Sequence, residues 1–290
     1  MSTQITTAFV EQYSSNVSML AQQMGSKLRG AVDVETVRGK NAFWDQIGAS
    51  AALVRSTRHG NTPQITTPHS RRRCTLADYE WADLIDDLDK VRMLSDPTSN
   101  YAKAAAAAMN RAIDDVIITA INASSDTGVA GGTAVPLPST SKFATTQQTD
   151  GLTVAKLLES KYFLDNGDVD PSIKRYFLCG PKQIQDLLNT TEVKSSDYNT
   201  VKALAQGSIN SFLGFEFIMS TRLNNDATYT DDRLCFAFTQ DAIKLGIGAD
   251  VKAKITERDD KSYATQVYYS MALGATRMEE AKVFQVPCDE

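Results

Sequence analysis

Apolar residues recur near the start of the chain at Phe9, Tyr13, Val17, Leu20, Met24 and Leu28, at steps of three and four. That is the period of one helix face. It predicts an amphipathic helix, packed on its own core or docked on another subunit as an arm. A second helix signal opens at Asp96-Pro97, an N-cap candidate with proline in the first turn, and runs through Ala104–Ala108 to about Asn122. At 1.5 Å per residue that helix spans roughly 40 Å. Met109, Ile113, Val116, Ile117 and Ala120 form its predicted buried stripe, with Arg111, Asp114 and Asp115 opposite. The small alanines let a neighbouring sheet approach the helix axis.

Residues 124–150 are rich in Ser, Thr, Gly and Pro and read as a boundary or long loop. A compact mixed section follows. Helix signals over Thr153 to Phe163 and Pro181 to Leu188 flank an apolar strand, Arg175 to Cys179, and Leu213 to Met219 supplies another strand. Toward the C-terminus Val251, Ala253 and Ile255 alternate with Lys252, Lys254 and Thr256. Tyr263, Thr265, Val267, Tyr269, Met271 and Leu273 keep the same period of two. Two long strands joined across Arg258-Asp259-Asp260-Lys261 make a hairpin with a charged tip, which is either solvated or held by another subunit.

The chain has 290 residues, 42% hydrophobic and 22% charged, a globular composition of about two domains at roughly 150 residues each. Lys103 and Arg111 bracket the alanine run, and no stretch approaches the roughly 18 apolar residues of a membrane span. The amino terminus lacks the basic segment and apolar stretch of a secretory signal, so an intracellular site of synthesis is expected. Cys74, Cys179, Cys235 and Cys288 lie far apart without CxxC or zinc spacing, and are expected to be reduced, buried thiols.

Charge is distributed in blocks. Between Arg38 and Arg73 the cations Arg38, Lys40, Arg55, Arg58, Arg71, Arg72 and Arg73 face the single acid Asp45. From Asp78 to Asp96 the acids Asp78, Glu80, Asp83, Asp86, Asp87, Asp89 and Asp96 oppose Lys90 and Arg92. The net charge of −5, and the lack of an aromatic stacking platform or helix-turn-helix beside the basic run, argue against nucleic-acid recognition. Two adjacent blocks of opposite sign suit complementary contact with a copy of the same chain, where charge sets register and encounter. Two solvated faces fit the pattern equally well.

Catalytic chemistry finds little support. His59 and His69 are the two histidines, both in a stretch of turn formers. Gly25 to Gly30 has P-loop spacing, but Ala31 and Val32 follow where Lys and Ser/Thr are needed. Gly128, Gly131 and Gly132, and Gly246 and Gly248, lack dinucleotide-binding spacing. Asp165 to Asp170 has its glycine too early for a calcium loop and no closing Glu. Cys179 has no nearby base in the sequence. No catalytic, cofactor or metal site is assigned.

The order of parts, together with Phe43-Trp44-Asp45-Gln46-Ile47-Gly48, Arg58-His59-Gly60-Asn61-Thr62-Pro63, Ser70-Arg71-Arg72-Arg73, Asp96-Pro97-Thr98-Ser99-Asn100-Tyr101, Arg111-Ala112-Ile113-Asp114-Asp115 and Leu273-Gly274-Ala275-Thr276-Arg277, resembles the major capsid proteins of tailed bacteriophages with the HK97-like fold. These segments lie mainly in residues 9–123, and the middle section matches only in kind. The resemblance implies an α+β fold with an N-terminal arm (1–35), an extended loop or E-loop (36–92) lying over a neighbouring subunit, a spine helix of the peripheral domain (93–124), an axial domain (125–235) and peripheral return strands with the C-terminus (236–290). It implies a self-assembling icosahedral shell around a double-stranded DNA phage genome, located in the virion capsid.

The implied partners are the chain itself in pentamers and hexamers, a portal protein, scaffold and cement proteins, and DNA held weakly and without specificity; no membrane and no cofactor is implied. The candidate interface set is Arg55, Arg58, Arg71, Arg72, Arg73, Asp83, Asp86, Asp87, Arg258, Asp259, Asp260 and Lys261. In it Arg71, Arg72 and Arg73 are expected to meet Asp83, Asp86 or Asp87 of an adjacent subunit. The shell protein of a cellular nanocompartment would share the fold, and an enzyme with an unrecognised site is the alternative from another class.

Overall fold

The computed structural model describes residues 21–55, 57–85, 98–144, 146–189 and 211–290, a mixed α+β arrangement of three helices and thirteen strands among those residues. In chain order the strands are β1 (Asp33–Thr36), β2 (Asn41–Ile47), β3 (His69–Thr75), β4 (Ala77–Ile85), β5 (Ser125–Thr127), β6 (Thr133–Val135), β7 (Arg175–Cys179), β8 (Ser211–Phe212), β9 (Phe215–Met219), β10 (Asp232–Thr239), β11 (Ile243–Arg258), β12 (Ala264–Arg277) and β13 (Val283–Asp289). The helices are α1 (Thr98–Asn122), α2 (Val154–Asn166) and α3 (Pro181–Asn189). The chain forms two compact units, one of residues 1–26, 78–112 and 249–272, the other of 27–77, 113–248 and 273–290. α1, β11 and β12 each contribute residues to both.

The larger unit is built on a five-stranded sheet in the order β13-β10-β7-β9-β8. β7 is buried along its whole length, and β10 and β13 nearly so. Continuous apolar runs of this kind mark strands covered on both faces. α2 packs on β13, with Phe163 and Phe284 ring centroids 4.7 Å apart. Thr153 caps α2 by accepting the N–H of Lys156. The buried Lys156 is held by carbonyls rather than by a carboxylate: its Nζ donates to those of Asp150 (2.8 Å) and Pro287 (3.0 Å) and lies over the Phe143 ring. The C-terminal strand thus joins the sheet of the 125–235 segment.

A second sheet in the same unit has the order β2-β3-β5-β6. Its inner face sets Trp44 and Cys74 against Val37 and Met278 in a small core. Trp44 Nε1 donates to Glu35, which also accepts from Lys244 Nζ (2.9 Å). The Lys244 and Trp44 hydrogen bonds hold the Glu35 carboxyl below its usual range against the opposing effect of burial. β1 accordingly lies parallel to the start of β11, Asp33 opposite Lys244.

Close approach matters most at Gly274 on β12. A Cβ there would lie 2.4 Å from the Thr75 carbonyl oxygen and 3.0 Å from Cys74 Sγ. Gly274→Ala is expected to lose about 2–3 kcal/mol by overpacking, whereas Gly132→Ala, with nothing within 4 Å, should be near neutral. Urea unfolding of the two variants side by side checks this, and equal stability would count against the packing described here.

In the other unit β4 lies beside β12, and β12 returns from β11 through the turn Asp259–Lys261. The hairpin expected from the alternation is therefore present.

Several expectations need correction. Residues 21–28 are irregular rather than helical, because the N–H groups of Lys27 and Leu28 are taken by the Asp114 carboxylate at 3.0–3.2 Å. The predicted helix positions Phe9, Tyr13, Val17 and Leu20, like Asp96 and Pro97, lie outside the described residues. Asp114 is 0% exposed, although the helical period set it on the polar side, and Val116 is only half-buried. Residues 124–150 contain the β5–β6 hairpin rather than a plain loop: Gly131, at φ +65°, turns the chain close against Arg73. His69 is the first residue of β3, not a loop residue.

Candidate functional site

The arginine run Arg71-Arg72-Arg73 sits on β3, where alternation sends Arg71 and Arg73 to one face and Arg72 to the other. Register then decides their partners. Asp45 on β2 is opposite Arg71, and the two side chains form an ion pair, with the guanidinium also 5.5 Å from the centre of the Phe43 ring. The Arg71 guanidinium holds the Asp45 carboxyl below its usual range. Asp126 on β5 is opposite Arg73 and pairs with it. Arg72 points inward, donating from Nε to the Met278 carbonyl (2.9 Å) and from Nη2 to both oxygens of Glu280. All three arginines therefore have partners within their own chain.

The remaining candidates fall into separate places. Arg55 and Arg58 lie exposed in the connection between β2 and β3, where Arg55 Nε donates to the Thr57 carbonyl (3.0 Å). Asp83 is on β4 and its carboxylate accepts the N–H of Leu84 (2.9 Å). Asp86 and Asp87 lie outside the described residues. At the tip of the long hairpin Arg258 pairs with Asp260 at 2.7 Å and donates to Gln266, while Asp259 and Lys261 are exposed in the turn. The hydrogen bond from Arg258 depresses the Asp260 pKa.

Two residues outside the candidate set hold the larger unit together. Arg277 is 0% exposed; its guanidinium donates to the carbonyls of Ile121 (2.8 Å), Ala123 (2.7 Å) and Val135 (3.0 Å) and lies beside Glu280. Burial pushes its pKa down and Glu280 opposes that shift. Asp114 receives the two backbone N–H groups already described. The sequence did carry one signal for Arg277, because continuing the inward positions Met271, Leu273 and 275 reaches it.

The four cysteines are free and buried. Burial pushes the Cys74 thiol up to about 11 and that of Cys179 up to about 12, and raises Cys235 as well. Thiols in that range stay protonated at neutral pH and are poor nucleophiles. Among the described residues no three His, Cys, Asp or Glu side chains are grouped to hold a metal ion, and no helix is long and apolar enough to cross a membrane. An open cleft of about 500 Å³ beside Asp45, His69, Arg71 and Val129 already has its main charges paired.

Comparison with known proteins agrees with the fold-level reading. The structure is similar to the capsid of cyanophage P-SCSP1u, at 16% identity over 97% of this chain and 93% of that chain, with a TM-score of 0.73. It is similar to a structure from Mycobacterium phage Che8, at 16% identity over 96% of this chain and 97% of that chain (TM-score 0.69). A third likeness is to the capsid of a native GTA particle, at 11% identity over 98% of this chain and 96% of that chain (TM-score 0.71). At these identities the likeness carries the fold, and the α+β, HK97-like reading of the sequence agrees with it. No curated protein matches the sequence. A family model described as phage capsid protein matches residues 5–290, which favours the capsid reading over a nanocompartment shell. The chain belongs to the phage capsid protein family.

Proposed function

We propose that this capsid protein is the major shell subunit of a phage particle and works by assembly rather than turnover. The observation that carries the reading is the family match along residues 5–290. Many copies make heterologous contacts, each patch meeting a different patch on the next subunit, and the rotation those contacts impose closes rings and then a shell. Each contact can be weak, because a subunit held by several neighbours at once is released only when all let go.

On this reading residues 1–35 are the arm, 36–92 the extended loop, 93–124 the spine helix, 125–235 the axial domain and 236–290 the return strands and C-terminus. The hairpin of β2 and β3 supports the extended-loop assignment, and the 25-residue α1 supports the spine. Rings of five and six copies, a portal at one vertex, and scaffold or cement proteins are the partners such a shell uses. Synthesis in the host cytoplasm precedes assembly. A chain of net charge −5 contacts packaged double-stranded DNA only weakly.

Sedimentation velocity of the full chain, alone and then with its candidate scaffold, tests this. A fast boundary of rings or shells is expected. A strictly monomeric chain in both cases, across salt and concentration, contradicts it.

A further inference from the structure

A charge taken out of water needs a counter-charge, so buried cations are normally matched to acids. Among the described residues three arginines are buried, Arg72, Arg175 and Arg277. Arg175 pairs with Asp165 at 2.6 Å. Arg72 and Arg277 instead share one carboxylate, Glu280, which lies 2.7 Å from Arg72 Nη2 and 3.6 Å from Arg277 Nε. A guanidinium keeps its proton at any physiological pH, so two cations against one carboxylate leave a positive charge over. The two groups sense each other: burial pushes the Arg277 pKa down, Glu280 opposes that, and the charge of Arg72 adds to the depression.

Backbone carbonyls spread the excess without cancelling it. Ile121, Ala123 and Val135 accept from Arg277, and Met278 accepts from Arg72. After these bonds Arg72 Nη1, Arg277 Nε and the hydroxyl of Ser125, 2% exposed, are still without a hydrogen-bond partner. Register gathers the three. Arg72 on β3 is opposite Thr127 on β5, and Ser125, two positions back along β5, shares that face. Ser125 is in turn opposite Val135, whose carbonyl accepts from Arg277. All of these residues belong to the larger unit, and the Glu280 side chain, 21% exposed, gives the cluster a side open to solvent. Lys156, buried without a carboxylate, differs in leaving no nitrogen unpartnered.

Unpartnered buried donors of this kind call for an ordered water or an ion. A water would satisfy the donors and leave the charge. We propose that the cluster of Arg72, Arg277 and Ser125 binds one small monovalent anion of the halide class, chloride in ordinary salt, which serves with Glu280 as the second counter-charge. The three orphaned groups can all donate, and one negative charge matches the excess. The ion would tie the end of α1 to β3, to the β5–β6 hairpin and to the turn at Glu280. The inference does not depend on the shell-subunit reading.

The test is thermal unfolding of the full chain in sodium chloride and in sodium gluconate at equal ionic strength, with sedimentation confirming the same assembly state in both. Chloride at ten times its Kd should raise Tm by about 4 °C, along a saturating curve. General salt effects run the other way, since gluconate is the more strongly excluded from protein surfaces. Glu280→Gln removes the competing carboxylate and should bind chloride about tenfold more tightly, moving the midpoint of that curve to lower chloride. Ser125→Ala should shrink the difference between the two salts, whereas a purely structural hydroxyl would shift Tm equally in both.

Bromide, in crystals of the full chain, locates the ion by anomalous scattering, and a peak within hydrogen-bond reach of Arg72 Nη1 or Arg277 Nε is expected. Equal Tm in the two salts, or a Glu280→Gln chain whose chloride dependence is unchanged, overturns the proposal. A bromide peak without any chloride effect on Tm marks an adventitious ion only and overturns it as well, as do bromide peaks confined to other places.

Discussion

Arg277→Ala is expected to lower the unfolding free energy of the unassembled subunit by about 4 kcal/mol, the range for removing one partner from a buried charged network. The side chain supplies the carbonyls of Ile121, in the last turn of α1, and of Ala123, just beyond it, with donors that the helix itself cannot provide, and reaches Val135 on β6 with the other branch of the fork. Removing it strands three acceptors, which accounts for most of the loss. At roughly 2–4 °C per kcal/mol for a chain above 150 residues, Tm should fall by about 10 °C. Arg277→Met separates packing from hydrogen bonding, since it fills much of the volume without donors, and should still lose about 3 kcal/mol. Arg277→Lys should not rescue, because an ammonium cannot span carbonyls on a helix end and a strand as a planar fork does. Urea unfolding of the three variants measures this, and an Arg277→Met protein as stable as wild type would refute the capping role.

Asp114→Ala is expected to cost about 3 kcal/mol, because it leaves the N–H groups of Lys27 and Leu28 without their carboxylate. The loss should be local first. Amide exchange of residues 26–32 should accelerate at least tenfold while the β7 and β10 amides keep their protection. Asp114→Asn keeps an acceptor oxygen and should fall between the two. Uniform acceleration across the chain, or none, would show that Asp114 does not tether this segment.

These two residues also show where reading the sequence ended. Long periodic elements were legible: α1 ends at Asn122 as its pattern required, β7 spans Arg175–Cys179, and the long β11–β12 hairpin follows its alternation. Such segments commit many side chains to one face, so local pattern and tertiary burial agree. Asp114 defeats that logic. An aspartate on a helix reads as solvated, yet its partners are backbone N–H groups some 86 positions away, which leave no trace in side-chain pattern. The same distant pairing keeps residues 27 and 28, the end of the predicted first helix, out of a helix. β5 and β6 were missed because three-residue strands among Ser, Thr and Gly show no period, and they form only as additions to β3.

The charged positions were legible as a set but not as pairs. Arg71, Arg72 and Arg73 stood out by number, and the sequence offered the acidic block beyond Asp78 as their complement. Within the chain, the hairpin register sets Arg71 opposite Asp45 and Arg73 opposite Asp126. A one-residue shift would have turned the same side chains to the other face, so their partners follow from register rather than composition.

Negative-stain electron microscopy of the full chain, expressed alone and then with its candidate scaffold, tests the central claim most directly. Closed shells, or rings of five and six subunits, are the predicted result, and their diameter would bound the copy number. A field of monomers under both conditions, at salt and concentration where the chain is folded, would contradict assembly as its function.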